Sequence, residues 1–249
     1  MTPLVPLVAA GFVSWTVSTL SAGGGSVLFV ALLNIFLSSR AVAPLVAVAS
    51  LIAAPLRMAM FWRDIDWRVV RWYAPGGMLG AALGGWLLTR LPVAWLDLIV
   101  AAFLISTAWQ YRFGRQERSF RMTLTGFLPL SFVVGLLSAM IGASGLIASP
   151  FYLNYGLIKE SLLATRAANS LAIQITKIVV YSWLGVLNLG LVQDGLIAGI
   201  GAGAAVLLSR PLLNRINGRQ FRQYAIVMMV ATGLYMIWRR RSLIALLFA

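Results

Sequence analysis

The chain has 249 residues, of which 61% are hydrophobic and 10% charged, and its mean hydropathy is +0.90; a soluble domain carries about 25% charged residues. With 20 basic residues against 6 acidic ones the formal charge is +14, but the basic runs interrupt apolar stretches and carry no nucleic-acid recognition motif, so they read as membrane topology signals. The absence of cysteine and histidine excludes disulfides, thiol nucleophiles and His-based metal or proton-relay sites.

A membrane-crossing helix needs about 20 mostly apolar residues, and hydropathy places such segments in two series. The first runs Leu4–Leu20, Val27–Leu37, Val42–Phe61, Val69–Leu88 and Val93–Tyr111. The N-terminus has no basic region ahead of its apolar run, so it reads as a first membrane segment rather than a cleaved signal. The second series runs Leu124–Met140, Leu146–Tyr155, Leu162–Leu184, Leu191–Leu208 and Phe221–Trp238. The second member of each series is too short to span and follows a run of small residues, which marks a broken or re-entrant segment.

The two series form an internal repeat. Gly25 pairs with Gly145, Val30 falls opposite Pro150, Ser50-Leu51 meets Ser170-Leu171 and Arg57 meets Lys177, with no gap between them. After a short slip, Gly76 and Gly80 are expected to match Gly199 and Gly203. The division is therefore residues 1–112 as a first repeat, 113–123 as a basic cytoplasmic linker, 124–241 as a second repeat and 242–249 as an apolar tail.

Arginines then set orientation. Arg63, Arg68 and Arg71, the run Arg112, Arg115, Arg118 and Arg121, and the run Arg210, Arg215, Arg219 and Arg222 are all expected in the cytoplasm, whereas Gly185–Gln193 contains no basic residue. Five segments per repeat turn the halves over relative to each other, so the expected fold class is an all-α polytopic membrane protein of two inverted-topology repeats. Arg239, Arg240 and Arg241 fall outside in this scheme, against the rule, unless the apolar tail Leu243–Phe248 returns along the interface.

A helix that restarts inside the bilayer offers free N–H groups and partial positive charge to an anion. Gly24, Gly25 and Ser26 in one half and Ser144, Gly145 and Leu146 in the other are placed to do so. Arg57 and Lys177 lie inside spans, where a charge costs on the order of 3 kcal/mol. At 1.5 Å per residue they sit about 8 Å and 9 Å from opposite membrane edges, and the blander alternative is that each snorkels to its nearer headgroups. Arg166, Asn169, Ser170, Gln174, Lys177 and Tyr181 follow helical spacing and form one polar stripe. Ala47, Ser50, Ala54 and Arg57 form a stripe of small residues ending in a cation, expected to face the first across a path. Two cations, amides and hydroxyls suit an oxyanion.

Plainer roles fit the remaining features. Gly76, Gly80 and Gly84 recur at every fourth residue, as in a helix-packing face. Trp62, Trp67, Trp72, Trp109 and Tyr111 sit near segment ends as interfacial anchors. Asp64 and Asp66 are too few carboxylates for a metal loop. No cofactor and no metal is expected, and with no paired intramembrane carboxylates neither is enzymatic chemistry.

Taken together, Ser21 to Val30, Ala49-Ser50-Leu51, Asp64 to Trp67, Gly76 to Gly84, Leu137 to Pro150, Asn169-Ser170-Leu171 and Gly199 to Gly203 make the chain resemble the TauE/SafE sulfite exporter family of membrane proteins over nearly its whole length. It departs from the family pattern at Val30, where a proline is usual, and at Ala143-Ser144, where glycines are usual. The resemblance implies export of sulfite or an organosulfonate such as sulfoacetate across the bacterial inner membrane. Asp97, Glu160 and Asp194 are the few acids in or near the spans, so the expected driving force is the membrane potential acting on the anion. The rival readings are an anion channel and a proton- or sodium-coupled transporter of another small anion. The expected partners are the small anion and the lipid bilayer, and the sequence allows a homo-oligomer.

Overall fold

A computed structural model of the chain describes residues 4–20, 25–37, 39–90, 121–142 and 145–215, with scattered positions from 217 to 238. Val93–Tyr111, most of the 113–123 linker, Arg239–Arg241 and the apolar tail lie outside the described residues. Among those described, all regular structure is helical. In hydrocarbon every backbone N–H and C=O must be satisfied within the chain, which a helix does locally.

Eight α-helices are described among these residues, in order: α1 Leu4–Leu20, α2 Gly25–Phe36, α3 Ser39–Met60, α4 Trp67–Leu88, α5 Phe127–Ile141, α6 Gly145–Tyr155, α7 Lys159–Trp183 and α8 Leu189–Asn214. A single 3-10 turn, Trp62–Asp64, joins α3 to α4. Ala41–Met60 within α3 and Leu189–Ser209 within α8 are long and apolar enough to cross a bilayer, and α1 and α5 are shorter apolar helices. At 1.5 Å per residue α2 and α6 reach only about 18 Å and 17 Å, well short of the ~30 Å hydrocarbon core.

Local chemistry sets several helix ends. Asp66 caps α4, its side chain accepting from the Arg68 N–H at 3.0 Å. That carboxylate also faces the Arg68 guanidinium at 3.4 Å, so it serves the helix start. Gly142 ends α5 in the left-handed region at φ 86°, where a side chain would be strained. Its N–H donates to Ser138 O at 2.9 Å.

Helices from before residue 90 pack against helices from after residue 121. α4 lies along α5 and α1 along α8, α3 packs between α7 and α8, α4 also meets α7, and α2 touches α6. Exchanging α1–α4 for α5–α8 turns the α4–α5 contact into α8–α1 and the α3–α8 contact into α7–α4. The α4–α5 and α1–α8 seams are backbone-close. A methyl group on Gly80 would overlap the carbonyl oxygen of Phe132, and one on Gly201 that of Val8. Gly76 and Gly84 meet α5 in the same way, so the every-fourth-residue glycines form a packing face.

The expected match of Gly76 and Gly80 with Gly199 and Gly203 needs correcting. Gly199 and Gly203 face Ile52 and Leu56 of α3, and it is Gly201 that meets α1 as Gly76 meets α5. α8 carries glycines on two faces, and the sequence match picked the wrong one.

Outward faces are apolar, as at Leu79 (68% exposed) and Ile200 (63%). Trp62, Trp67 and Trp72 are exposed around the α3–α4 turn, and Trp62 and Trp67 meet edge to face, the arrangement of interfacial anchors. That turn is fastened to α7, because the Asp66 N–H donates to Thr165 Oγ1 at 2.9 Å.

Candidate functional site

Where α2, α3, α6 and α7 converge, flanked by α1, α4 and α5, they leave a cavity of about 70 Å³. A water needs about 10–15 Å³ measured this way, so the space holds on the order of five waters or one small ion. Ser50, Ala54 and Arg57 reach it from α3, four and three residues apart on one helix face, and Arg166, Asn169, Ser170 and Gln174 reach it from α7. The two stripes thus meet across one space, joined by Ser26 from the first turn of α2.

Arg57 is 6% exposed and donates from Nη2 to Thr19 Oγ1 of α1 at 2.9 Å. Thr19 is itself fixed, donating to Trp15 O at 3.0 Å and accepting from Ser209 at 3.2 Å. The Arg57 Nε is buried without a partner. Arg166 donates from Nη2 to Ser18 Oγ at 3.4 Å. Both guanidiniums therefore border the cavity while anchored on neighbouring turns of α1, and burial excludes snorkelling for Arg57. No carboxylate is among the described residues lining the cavity, so it presents two positive charges to whatever enters.

The polar wall on α7 is held from outside. Asn169 Nδ2 donates to the Tyr152 hydroxyl at 2.7 Å, and Tyr152 stacks against both Tyr73 and Phe127, with centroids 5.8 and 5.4 Å away. Gln174 Nε2 donates to Ser170 Oγ at 3.5 Å. The amide oxygens Asn169 Oδ1 and Gln174 Oε1 are buried without partners.

The other expected site residues fall elsewhere. Lys177 is fully buried but is not among the described lining residues; its Nζ donates to Ser138 Oγ of α5 at 3.4 Å. Tyr181 is buried with its hydroxyl on Ala139 O, a packing role. Gly25 packs on Ser14 and Ser18 of α1, and Gly145 opens α6. Gly24 and Ser144 lie outside the described residues.

Sequence reasoning passed over Ser18, Tyr73 and Tyr152. Ser14 and Ser18, one turn apart in apolar α1, were the faint signal for the first; mid-helix tyrosines in an aromatic-rich chain gave none. Arg166 stood in the polar stripe and is the cavity's second cation.

Such an arrangement can hold and orient a small anion.

Comparison with curated proteins and with solved structures finds no match. Among protein families, that described as sulfite exporter TauE/SafE matches residues 7–236. The chain thus belongs to the TauE/SafE sulfite exporter family of membrane transporters.

Proposed function

We propose that the chain carries a small sulfur oxyanion out of the cell across the bacterial inner membrane, binding it between Arg57 and Arg166 in the central cavity. The observation that carries this reading is the buried guanidinium of Arg57 and the half-buried one of Arg166 on one cavity, with no carboxylate among the described lining residues. Two positive charges on one cavity wall favour an anion, and charge-assisted hydrogen bonds from arginine are the strong ones. Ser26, Ser50 and Ser170 add hydroxyls to the wall. The volume of about 70 Å³ favours sulfite over the longer sulfoacetate.

Two inverted repeats, with α2 and α6 as re-entrant helices, complete the reading. Support comes from the exchange symmetry of the helix contacts and from the shortness of α2 and α6. The arginine-rich turn after α3, set against residues 184–188, which hold no basic residue, points the same way. In an inverted pair these two loops lie on opposite sides.

The membrane potential supplies the drive. One elementary charge crossing it is worth about 2.3 kcal/mol per 100 mV, a roughly fiftyfold bias toward the outside for a monoanion. In proteoliposomes held at equal pH on both sides, with the potential clamped by potassium and valinomycin, sulfite flux should rise with an inside-negative potential and ignore a sodium gradient. Flux that follows the ion gradient and not the potential refutes it.

A further inference from the structure

We infer that the crevice between the α3–α4 turn and the start of α7 seats a phospholipid whose headgroup is a zwitterion with a primary ammonium, of the phosphatidylethanolamine kind. This site lies apart from the central cavity and shares none of its described lining residues.

Depth along the bilayer comes first. The apolar run Ala41–Met60 is long enough to cross a membrane, so the residues just after it stand where hydrocarbon gives way to headgroups. Exposed Trp62, Trp67 and Trp72 mark the same level, as aromatic side chains do at a membrane interface. Here the chain leaves an open crevice of about 490 Å³, lined by Arg63, Asp64, Asp66, Trp67 and Arg68 from the turn and by Ser161 from α7. The bond from the Asp66 N–H to Thr165 Oγ1, one helical turn beyond Ser161, ties its two walls together.

Charge then selects the headgroup. The described lining sets two arginines against two aspartates, a neutral sum that matches a zwitterion. Asp66 is already committed, since its carboxylate caps α4 and faces Arg68. Lys159 and Glu160, next to Ser161 in the chain, face each other at 3.7 Å. Arg63 and Asp64 are both exposed, and neither makes an ion pair or a side-chain hydrogen bond with another described residue. Arg68 gives one side-chain N–H to Asp66 and its side chain is 76% exposed, which leaves donors for a ligand. A headgroup phosphate thus suits Arg63 and Arg68, and an ammonium a few bonds away on the same headgroup suits Asp64. An anionic headgroup brings no cation for Asp64, and a quaternary ammonium has no N–H to give it. Trp67 on the crevice wall, edge to face with Trp62, offers apolar surface to the glycerol and the first chain carbons.

The test is native mass spectrometry of the purified full-length chain in detergent carrying equal amounts of phosphatidylethanolamine, phosphatidylcholine and phosphatidylglycerol with the same acyl chains. The wild type should retain phosphatidylethanolamine over each of the others by about three- to fivefold, the worth of one exposed ion pair. Asp64→Asn should bring the three lipids level, whereas Arg63→Gln should lower all three and leave their ratios. Arg71→Gln, exposed on α4 and outside the described lining, should change neither. Equal retention by the wild type, or a preference for phosphatidylglycerol, overturns the inference. So does a folded Asp64→Asn variant that keeps the preference, or an Arg71→Gln variant that loses it, which would move the lipid off the crevice. Millimolar inorganic phosphate should leave the bound lipid in place; displacement would make the crevice a site for free anions and would also overturn the inference. The wild-type comparison and Arg63→Gln decide if Asp64→Asn does not fold.

Discussion

Replacing Arg57 with methionine should weaken anion binding while leaving the fold as stable as before, or more so. Two opposing terms set these signs. A hydrogen bond from a charged donor contributes about 1.5–3 kcal/mol, so losing the Arg57 contact to the anion predicts binding weaker by roughly ten- to 150-fold. In the empty protein, however, Arg57 is a 6%-exposed cation with Nε unpartnered and a second guanidinium on the same cavity. Removing a buried charge that lacks a counter-ion relieves desolvation and repulsion, and methionine fills most of the stem's volume. Thr19 loses one donor, but its hydroxyl keeps Trp15 O and Ser209, so the loss there is about 1 kcal/mol or less. The assay pairs sulfite titration with a thermal melt of the detergent-solubilised protein, using Arg71→Ala on the exposed α4 surface as control. A variant that melts markedly lower and loses affinity no more than the control would mean that Arg57 holds the fold together, and the reasoning from its unpaired charge would fail.

Lys177→Met should leave sulfite affinity within about threefold, because its ammonium lies against Ser138 and not on the cavity wall; a loss as large as that of Arg57→Met in the same titration would contradict this. Gly80→Leu drives a side chain into the Phe132 carbonyl and should lower stability by about 3 kcal/mol or more, read as a drop in melting temperature. Gly190→Leu, where the nearest neighbour is the Asn188 side chain at 3.4 Å, should be far milder. In a chain with no native cysteine, a cysteine at position 63 should be labelled only from the cytoplasm and one at 185 only from outside; labelling from the same side would exclude inverted halves.

Hydropathy read the spans closely because the bilayer imposes a single requirement, an apolar run with its own hydrogen bonds, and that requirement is local. Leu4–Leu20 is a helix with the same ends, and Val69–Leu88 is extended only by the Asp66 cap. The polar stripes were legible for the same reason, since a polar side chain in an apolar helix has to find the interior. Helical spacing, though, tells which face a residue shares and not how far a cavity extends along it. Lys177 is in phase with Gln174 but about 4.5 Å further along the axis, which carries it past the cavity and into α5. Tyr73 and Tyr152 escaped notice because their role depends on two helices far apart in sequence arriving together. The glycine register failed where α8 uses glycine on two faces, a distinction no one-dimensional match makes.

The backbone-close seams at Gly80 against Phe132 and Gly201 against Val8 also determine which parts of the transporter can slide. Each joins a helix of one half to a helix of the other, so α1 with α8 and α4 with α5 behave as two stiff beams running across the boundary between halves. A mechanism in which residues 4–88 swing as a block away from residues 121–215 would have to pull both beams apart at once.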